Sequence, residues 1–143
     1  MLLGTHTPKL DDKGRVILPS KFREDLGAGI VVTRGQDRCL YVFTRESFAE
    51  MARKVASAPL TSESARAFQR NLFSGTDEQN PDAQGRIAIL PELRRYAGLA
   101  RDCVVLGAFT RAEIWDAQAW QRYQDEHEDE YAKAQEEVLP GLF

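Results

Sequence analysis

Two arginines in this sequence have neighbours that could hold them as rigid hydrogen-bonding forks. Arg15 stands four residues after Asp11 in DDKGRVILP, and Arg86 four residues after Asp82 in DAQGRIAILP. In each stretch a glycine (Gly14, Gly85) precedes the arginine, an apolar run follows and a proline closes it. An aspartate side chain can bond backbone amides just ahead of it, and glycine takes a positive φ without steric cost. Each stretch therefore reads as a tight turn presenting its arginine. A guanidinium is a planar set of donors that matches phosphate oxygens and guanine edges. Other cations stand close by: Lys9, Lys13, Lys21 and Arg23 near the first turn, Arg94 and Arg95 near the second. An aspartate and arginine paired only to staple a turn would look the same, so the residues by themselves leave both roles open.

The elements that must position these turns are themselves repeated. VILPSKFREDLG after Arg15 corresponds to IAILPELRRYAGL after Arg86, with one extra residue before Pro91, so that Phe22 aligns with Leu93 and Arg23 with Arg94. Further on, Val42-Phe43 matches Ile114-Trp115, and Phe48 matches Trp120. Residues 5–48 and about 76–120 are thus two copies of one unit. Each copy reads as strand, turn, strand, short helix, strand, turn, strand. The short helices are expected at about Ser20–Leu26 and Glu92–Ala97, each beginning at its proline. Hairpins are expected from Ile30–Arg34 with Leu40–Thr44, and from Cys103–Leu106 with Glu113–Asp116. Between the copies, Glu46–Ser57 and Ser62–Phe73 have helical spacing. Their apolar stripes are Phe48, Met51, Ala52, Val55 and then Ala65, Phe68, Leu72, Phe73. Trp120, Tyr123, His127, Tyr131, Ala134 and Val138 recur at three- and four-residue steps, which predicts a long helix under the acidic C-terminal segment. These stripes offer more apolar surface than two half-size units need. They either cover the subunit's own core or join subunits.

The formal charge of −3 is unevenly spread. Residues 121–143 hold seven acidic side chains against Arg122 and Lys133, a local −5, which leaves the rest of the chain at +2. A mildly basic body with an acidic tail permits an anionic partner. No apolar run approaches bilayer length, and MLLGTHTPKL lacks the basic and apolar regions of a signal peptide, so neither a membrane nor export is expected. Cys39 and Cys103 have no metal-ligand spacing and read as reduced thiols of a cytoplasmic protein.

Enzyme chemistry finds no support. Gly14 and Gly85 stand alone in their turns and form no phosphate loop. His6 and His127 lack a histidine or cysteine at ligand spacing, so no metal is expected. His127 fits a packed or solvated position on its helix. Ser74-Gly75 lacks the surroundings of a nucleophile elbow. Neither cofactor nor small-molecule substrate is implied.

The D-x-x-G-R-[IV]…LP pattern resembles the SpoVT/AbrB type of DNA-binding half-barrel. Two copies in a chain of this length, with RCLYVFTRESF (38–48), NLFSG (71–75) and AEIWDAQAW (112–120), resemble the MraZ family of bacterial transcriptional regulators. The resemblance runs over nearly the whole chain. It implies an α+β fold: a duplicated AbrB-like swapped-hairpin β-barrel with flanking helices, forming one pseudo-symmetric domain. On that basis residues 5–48 are the first repeat, 49–75 the connecting helices, 76–120 the second repeat and 121–143 the acidic C-terminal helix. The resemblance also implies a nucleoid-associated repressor of the division and cell-wall gene cluster. Such a protein assembles as a ring, an octamer or larger, on direct repeats in double-stranded DNA that include its own promoter. Arg15 and Arg86 would then face DNA, with Asp11, Gly14, Asp82 and Gly85 supporting the turns. Lys13, Lys9, Lys21, Arg23 and Arg94 would complete the basic surface. An AbrB-type antitoxin or scaffold acting mainly through protein partners is the alternative. One departure from the pattern is Pro81, which has no amide donor and predicts an edge or shortened first strand in the second repeat.

Overall fold

The computed structural model describes residues 1–134 and 140–141. The chain opens with β1 (Leu2–His6) and passes through the first Asp-Gly-Arg turn into β2 (Arg15–Ile17). Pro19 introduces a 3-10 turn over Ser20–Phe22 that continues as α1 (Arg23–Leu26). β3 (Ile30–Arg34) and β4 (Leu40–Thr44) pair over the expected span. α2 (Arg45–Ala56) and α3 (Glu63–Ser74) follow. Each begins at a hydroxyl cap: Thr44 Oγ1 accepts from the Ser47 amide at 3.1 Å, and Ser62 Oγ from the Ala65 amide at 3.2 Å. The second half repeats the order with β5 (Asp77–Gln79), β6 (Arg86–Ala88), α4 (Pro91–Ala97), β7 (Cys103–Phe109) and β8 (Ala112–Asp116). The described part of the chain closes with α5 (Ala117–Ala132), capped by Asp116.

The two halves exchange strands. The main sheet is antiparallel in the order β1-β7-β8-β4-β3-β5, so the first strand of each half pairs with the third strand of the other. β2 and β6 pair with one another as a separate two-stranded ribbon. The fold is α+β, but the expected barrel closure is absent: the main sheet ends at β1 and β5, and neither sheet closes on itself. The ribbon strands are three residues long, and their outer edges are occupied by their own turns. The amides of Arg15 and Arg86 bond to Asp11 and Asp82, leaving no edge there for the main sheet. As Pro81 predicts, β5 is a three-residue edge strand, against five residues in β1.

One core joins the two sheets. Val16 and Ile87, the central pair of the ribbon, are fully buried with Leu18, Ile89, Phe22 and Leu93 against Ile30, Val32, Leu40, Val105 and Ile114 of the main sheet. Alternate residues of that sheet face the helices. Val104, Leu106 and Trp115 form a second cluster under the start of α5, where the Trp115 and Trp120 rings meet at 5.1 Å and the Tyr123 ring also packs. The C-terminal stripe thus covers its own subunit over its first turns. It then leaves the body, and Tyr131 is 85% exposed. α5 ends at Ala132, with Ala134 outside the helix and Val138 outside the described residues. On α3, Leu72 is buried but Phe68 and Phe73 remain exposed. No helix among the described residues is long and apolar enough to cross a membrane.

Candidate nucleic-acid interface

The two turns are built alike to within about a tenth of an ångström. Asp11 Oδ1 accepts from the amides of Lys13 (2.9 Å) and Arg15 (2.8 Å), while Oδ2 accepts from Arg15 Nε at 2.8 Å. In the second turn Asp82 Oδ1 accepts from Gln84 (3.0 Å) and Arg86 (2.8 Å), and Oδ2 from Arg86 Nε at 2.7 Å. Gly14 and Gly85 close the turns at φ 75° and 80°. Pro81 therefore shortens β5 without disturbing the turn that follows. Holding each arginine through Nε fixes the guanidinium plane and leaves its terminal nitrogens for a ligand. In the second turn one of these also reaches Gln84 Oε1, at 3.3 Å.

The ribbon sets the two forks side by side. Arg15 lies opposite Ala88 and Ile17 opposite Arg86, so the arginines are diagonal neighbours, about 7–8 Å apart in such a pair. Because strand side chains alternate, Val16 and Ile87 point into the core while Arg15, Ile17, Arg86 and Ala88 share the outer face. The turns also hold one another: the Leu18 amide donates to the Gly85 carbonyl, and the Ile89 amide to the Gly14 carbonyl, both at 2.9 Å.

The structure separates the other expected basic residues into three roles. Lys13 is exposed at the tip of the first turn. Arg23 and Arg94 are half-buried cross-braces. Arg23 Nε donates to the Leu18 carbonyl at 3.2 Å and its guanidinium lies against Gly85, while Arg94 donates to the Ile89 carbonyl and lies against Gly14. Lys9 is paired with Asp102 at 2.8 Å, and the Lys21 amino group sits over Gly4 of β1. Two further contributors escape the sequence reading. Ile17, 48% exposed, stands beside the forks, and strict alternation after Arg15 is the signal that would place it outward. Gln79 lies along the outer edge of β6 beyond the turn, donating to the Ala88 carbonyl at 2.7 Å and accepting from its amide at 2.9 Å. No local pattern announces that bridge.

Hydrogen bonds from the Arg15 backbone and side chain hold the Asp11 carboxyl below the ordinary carboxylate range, against partial desolvation, and Arg86 does the same for Asp82. A group whose pKa is lowered by folding contributes stability that is complete above its unfolded value and is lost as pH falls through the folded one. Titration from pH 7 to 5 should therefore leave the Arg15 and Arg86 Nε–H resonances in place. They should move only in more acidic solution, which NMR of arginine side chains would follow.

The remaining reactive groups are packed away from any shared centre. Burial raises the Cys39 thiol pKa, and that of Cys103 to about 11, so neither is a ready thiolate. His127 stacks on Tyr123 with ring centroids 4.0 Å apart. Among the described residues no three His, Cys, Asp or Glu side chains form a metal-binding group.

Fold and site together define a duplicated, strand-exchanged α+β protein that presents paired guanidinium forks on one face of a two-stranded ribbon. The family described as "MraZ protein, putative antitoxin-like" matches the chain twice, over residues 1–71 and 72–140. Proteins named transcriptional regulator MraZ are 68% identical in Saccharopolyspora erythraea, 56% in Nocardia farcinica and 54% in Mycobacterium tuberculosis, each over the full length of both chains. The chain belongs to the MraZ family. Its relatives bear the name of regulators, not of enzymes.

Proposed function

We propose that this protein is a cytoplasmic, nucleoid-associated transcriptional regulator that binds double-stranded DNA through the β2–β6 ribbon. The observation that carries the reading is the reciprocal pair of Asp-held arginines, Arg15 and Arg86, on one outward face. Their terminal nitrogens read base edges or phosphates, and Lys13 adds a phosphate contact. Arg23 and Arg94 support the turns from behind, with Asp11, Gly14, Asp82 and Gly85. Lys9 and Lys21 contribute to the flanking field. The reciprocal strand exchange supports an AbrB-like swapped-hairpin arrangement of repeats 5–48 and 76–120, with connecting helices 49–75 and an acidic segment 121–143.

Two forks on a chain of net charge −3 bind weakly alone. Several subunits in a ring of eight or more on successive direct repeats raise the affinity through effective concentration. Exposed Phe73 on α3 supplies apolar surface for such contacts. Repression of the division and cell-wall cluster, including its own promoter, follows from occupancy there. The test is fluorescence anisotropy on a duplex carrying the repeats upstream of its own gene, beside a scrambled duplex and light scattering of the free protein. Preference for the repeats with a steep salt dependence, by an oligomer, is expected. Equal binding to both duplexes, or a monomer, overturns it. The family's antitoxin-like description favours no second reading here, because the described acidic segment is helical as far as Ala132.

A further inference from the structure

Among the described residues four arginines outside the cross-braces are paired with carboxylates: Arg15 with Asp11, Arg86 with Asp82, Arg45 with Glu78 and Arg111 with Glu113. Three others meet around Tyr96 without such a partner among the described residues. Arg34 comes from the end of β3, Arg38 from the β3–β4 hairpin and Arg95 from α4. They line one cavity of about 580 Å³ in which Glu92 is the sole carboxylate among the described residues. Arg38 lies 4.9 Å from the centre of the Tyr96 ring and Arg34 5.7 Å from it. The ring is fixed by its hydroxyl, which donates to the Gly35 carbonyl at 2.5 Å.

Two features mark this grouping as more than solvated surface charge. Arg34 Nε is enclosed and has no acceptor among the described residues, although Arg34 Nη1 donates to the Asn71 carbonyl at 3.2 Å. The backbone that holds Arg38 over the ring passes through the left-handed region at two successive non-glycine residues, Asp37 (φ 60°) and Arg38 (φ 61°), a costly geometry that is concentrated at binding sites. Like charges gathered in a concave wall lower one another's stability unless an anion answers them.

We infer that this cavity is a second anion site, separate from the ribbon, which binds the phosphate groups of a small molecule through Arg34, Arg38 and Arg95. Three guanidiniums against one carboxylate suit a di- or polyanion, and guanidinium donors match phosphate oxygens. Phe68, 47% exposed and part of the same lining, offers an apolar face beside the charge. Phosphate could come from a free inorganic anion or from a nucleotide, and Phe68 distinguishes them.

The experiment is calorimetric titration of the full chain with inorganic phosphate, pyrophosphate and adenosine diphosphate in turn. It is repeated on Arg38→Gln/Arg95→Gln, Phe68→Ala and Arg15→Ala/Arg86→Ala, each checked by thermal melting. Saturable binding of pyrophosphate that weakens about tenfold or more in Arg38→Gln/Arg95→Gln, and is unchanged in Arg15→Ala/Arg86→Ala, supports the site. An added loss for adenosine diphosphate alone in Phe68→Ala supports a nucleotide, and its absence supports a free phosphate anion. The site is overturned if none of the three anions saturates the protein at millimolar concentration. It is also overturned if the loss follows Arg15 and Arg86, which assigns the anion to the ribbon, or if Arg38→Gln/Arg95→Gln weakens only duplex DNA, which makes the cavity a DNA backbone contact. The ribbon reading stands or falls separately, on the repeat duplex.

Discussion

The Arg15→Ala/Arg86→Ala variant is expected to melt cooperatively, like the parent protein, yet to lose its binding to the repeat duplex. Both side chains stand on the outer face of the ribbon, whose buried pair is Val16 and Ile87, so truncating them opens no cavity. Asp11 and Asp82 keep the backbone donors of their turns. The ligand-facing loss is much larger. A good bidentate arginine contact is worth about 1–3 kcal/mol, so two per subunit amount to at least about 30-fold, and repetition around an oligomer multiplies this. The slope of log affinity against log salt should also flatten by about 0.9 for each phosphate contact removed. Arg15→Lys should not rescue, because an ammonium cannot be held through Nε while presenting a fork. Parental affinity in a folded double variant would make the pairs turn staples and nothing more.

Gly14→Ala and Gly85→Ala are expected to destabilise the protein by roughly 1–2 kcal/mol each, from the strain of a side chain at positive φ, before any clash is counted. The clash makes the two unequal. A Cβ on Gly14 would come within 2.1 Å of the Arg94 Nη1, the far end of a flexible chain, with Cζ at 2.9 Å. On Gly85 it would meet Arg23 Nε, Cζ and Nη2 at 2.1, 2.4 and 2.8 Å, so the whole guanidinium must leave its place. Gly85→Ala should therefore lower the melting temperature more than Gly14→Ala, by about 4–8 °C in total for a chain of this size. Gly98, also at positive φ but with nothing within 4 Å of its Cβ position, gives the strain alone. Calorimetry of the three variants decides. Equal melting temperatures for Gly85→Ala and Gly98→Ala would show that the cross-brace carries no weight.

Much of the local structure can be read from the chain in order. Short apolar runs flanking Gly35–Arg38 give the β3–β4 hairpin at its observed ends, and helical spacing gives α2 and α3 to within about a residue. These signals are readable because they depend on neighbours two to four residues away. The same periodicity overran at α5, where Tyr131 keeps the stripe's spacing but is 85% exposed among the described residues. On α3 the stripe leaves open whether Phe68 and Phe73 cover the subunit's own core or join subunits, and both are exposed, since a helical stripe records what could be buried and not what is.

By itself the sequence determined that the protein is a duplication, where its turns lie, and that each turn pairs an aspartate with an arginine four residues on. All of these rest on short-range stereochemistry: the reach of an aspartate to the next amides, and the freedom of a glycine at positive φ. Tertiary structure alone decided that β1 crosses to β7 and β5 to β3, because alternation is the same whichever strand lies alongside. It set Arg15 and Arg86 diagonally across one ribbon, and turned Arg23 and Arg94 from neighbours of their own turns into braces for the opposite ones. It also brought Arg34, Arg38 and Arg95 around one tyrosine. Each of these depends on residues tens of positions apart, whose proximity is paid for by the shared core and written in no local pattern.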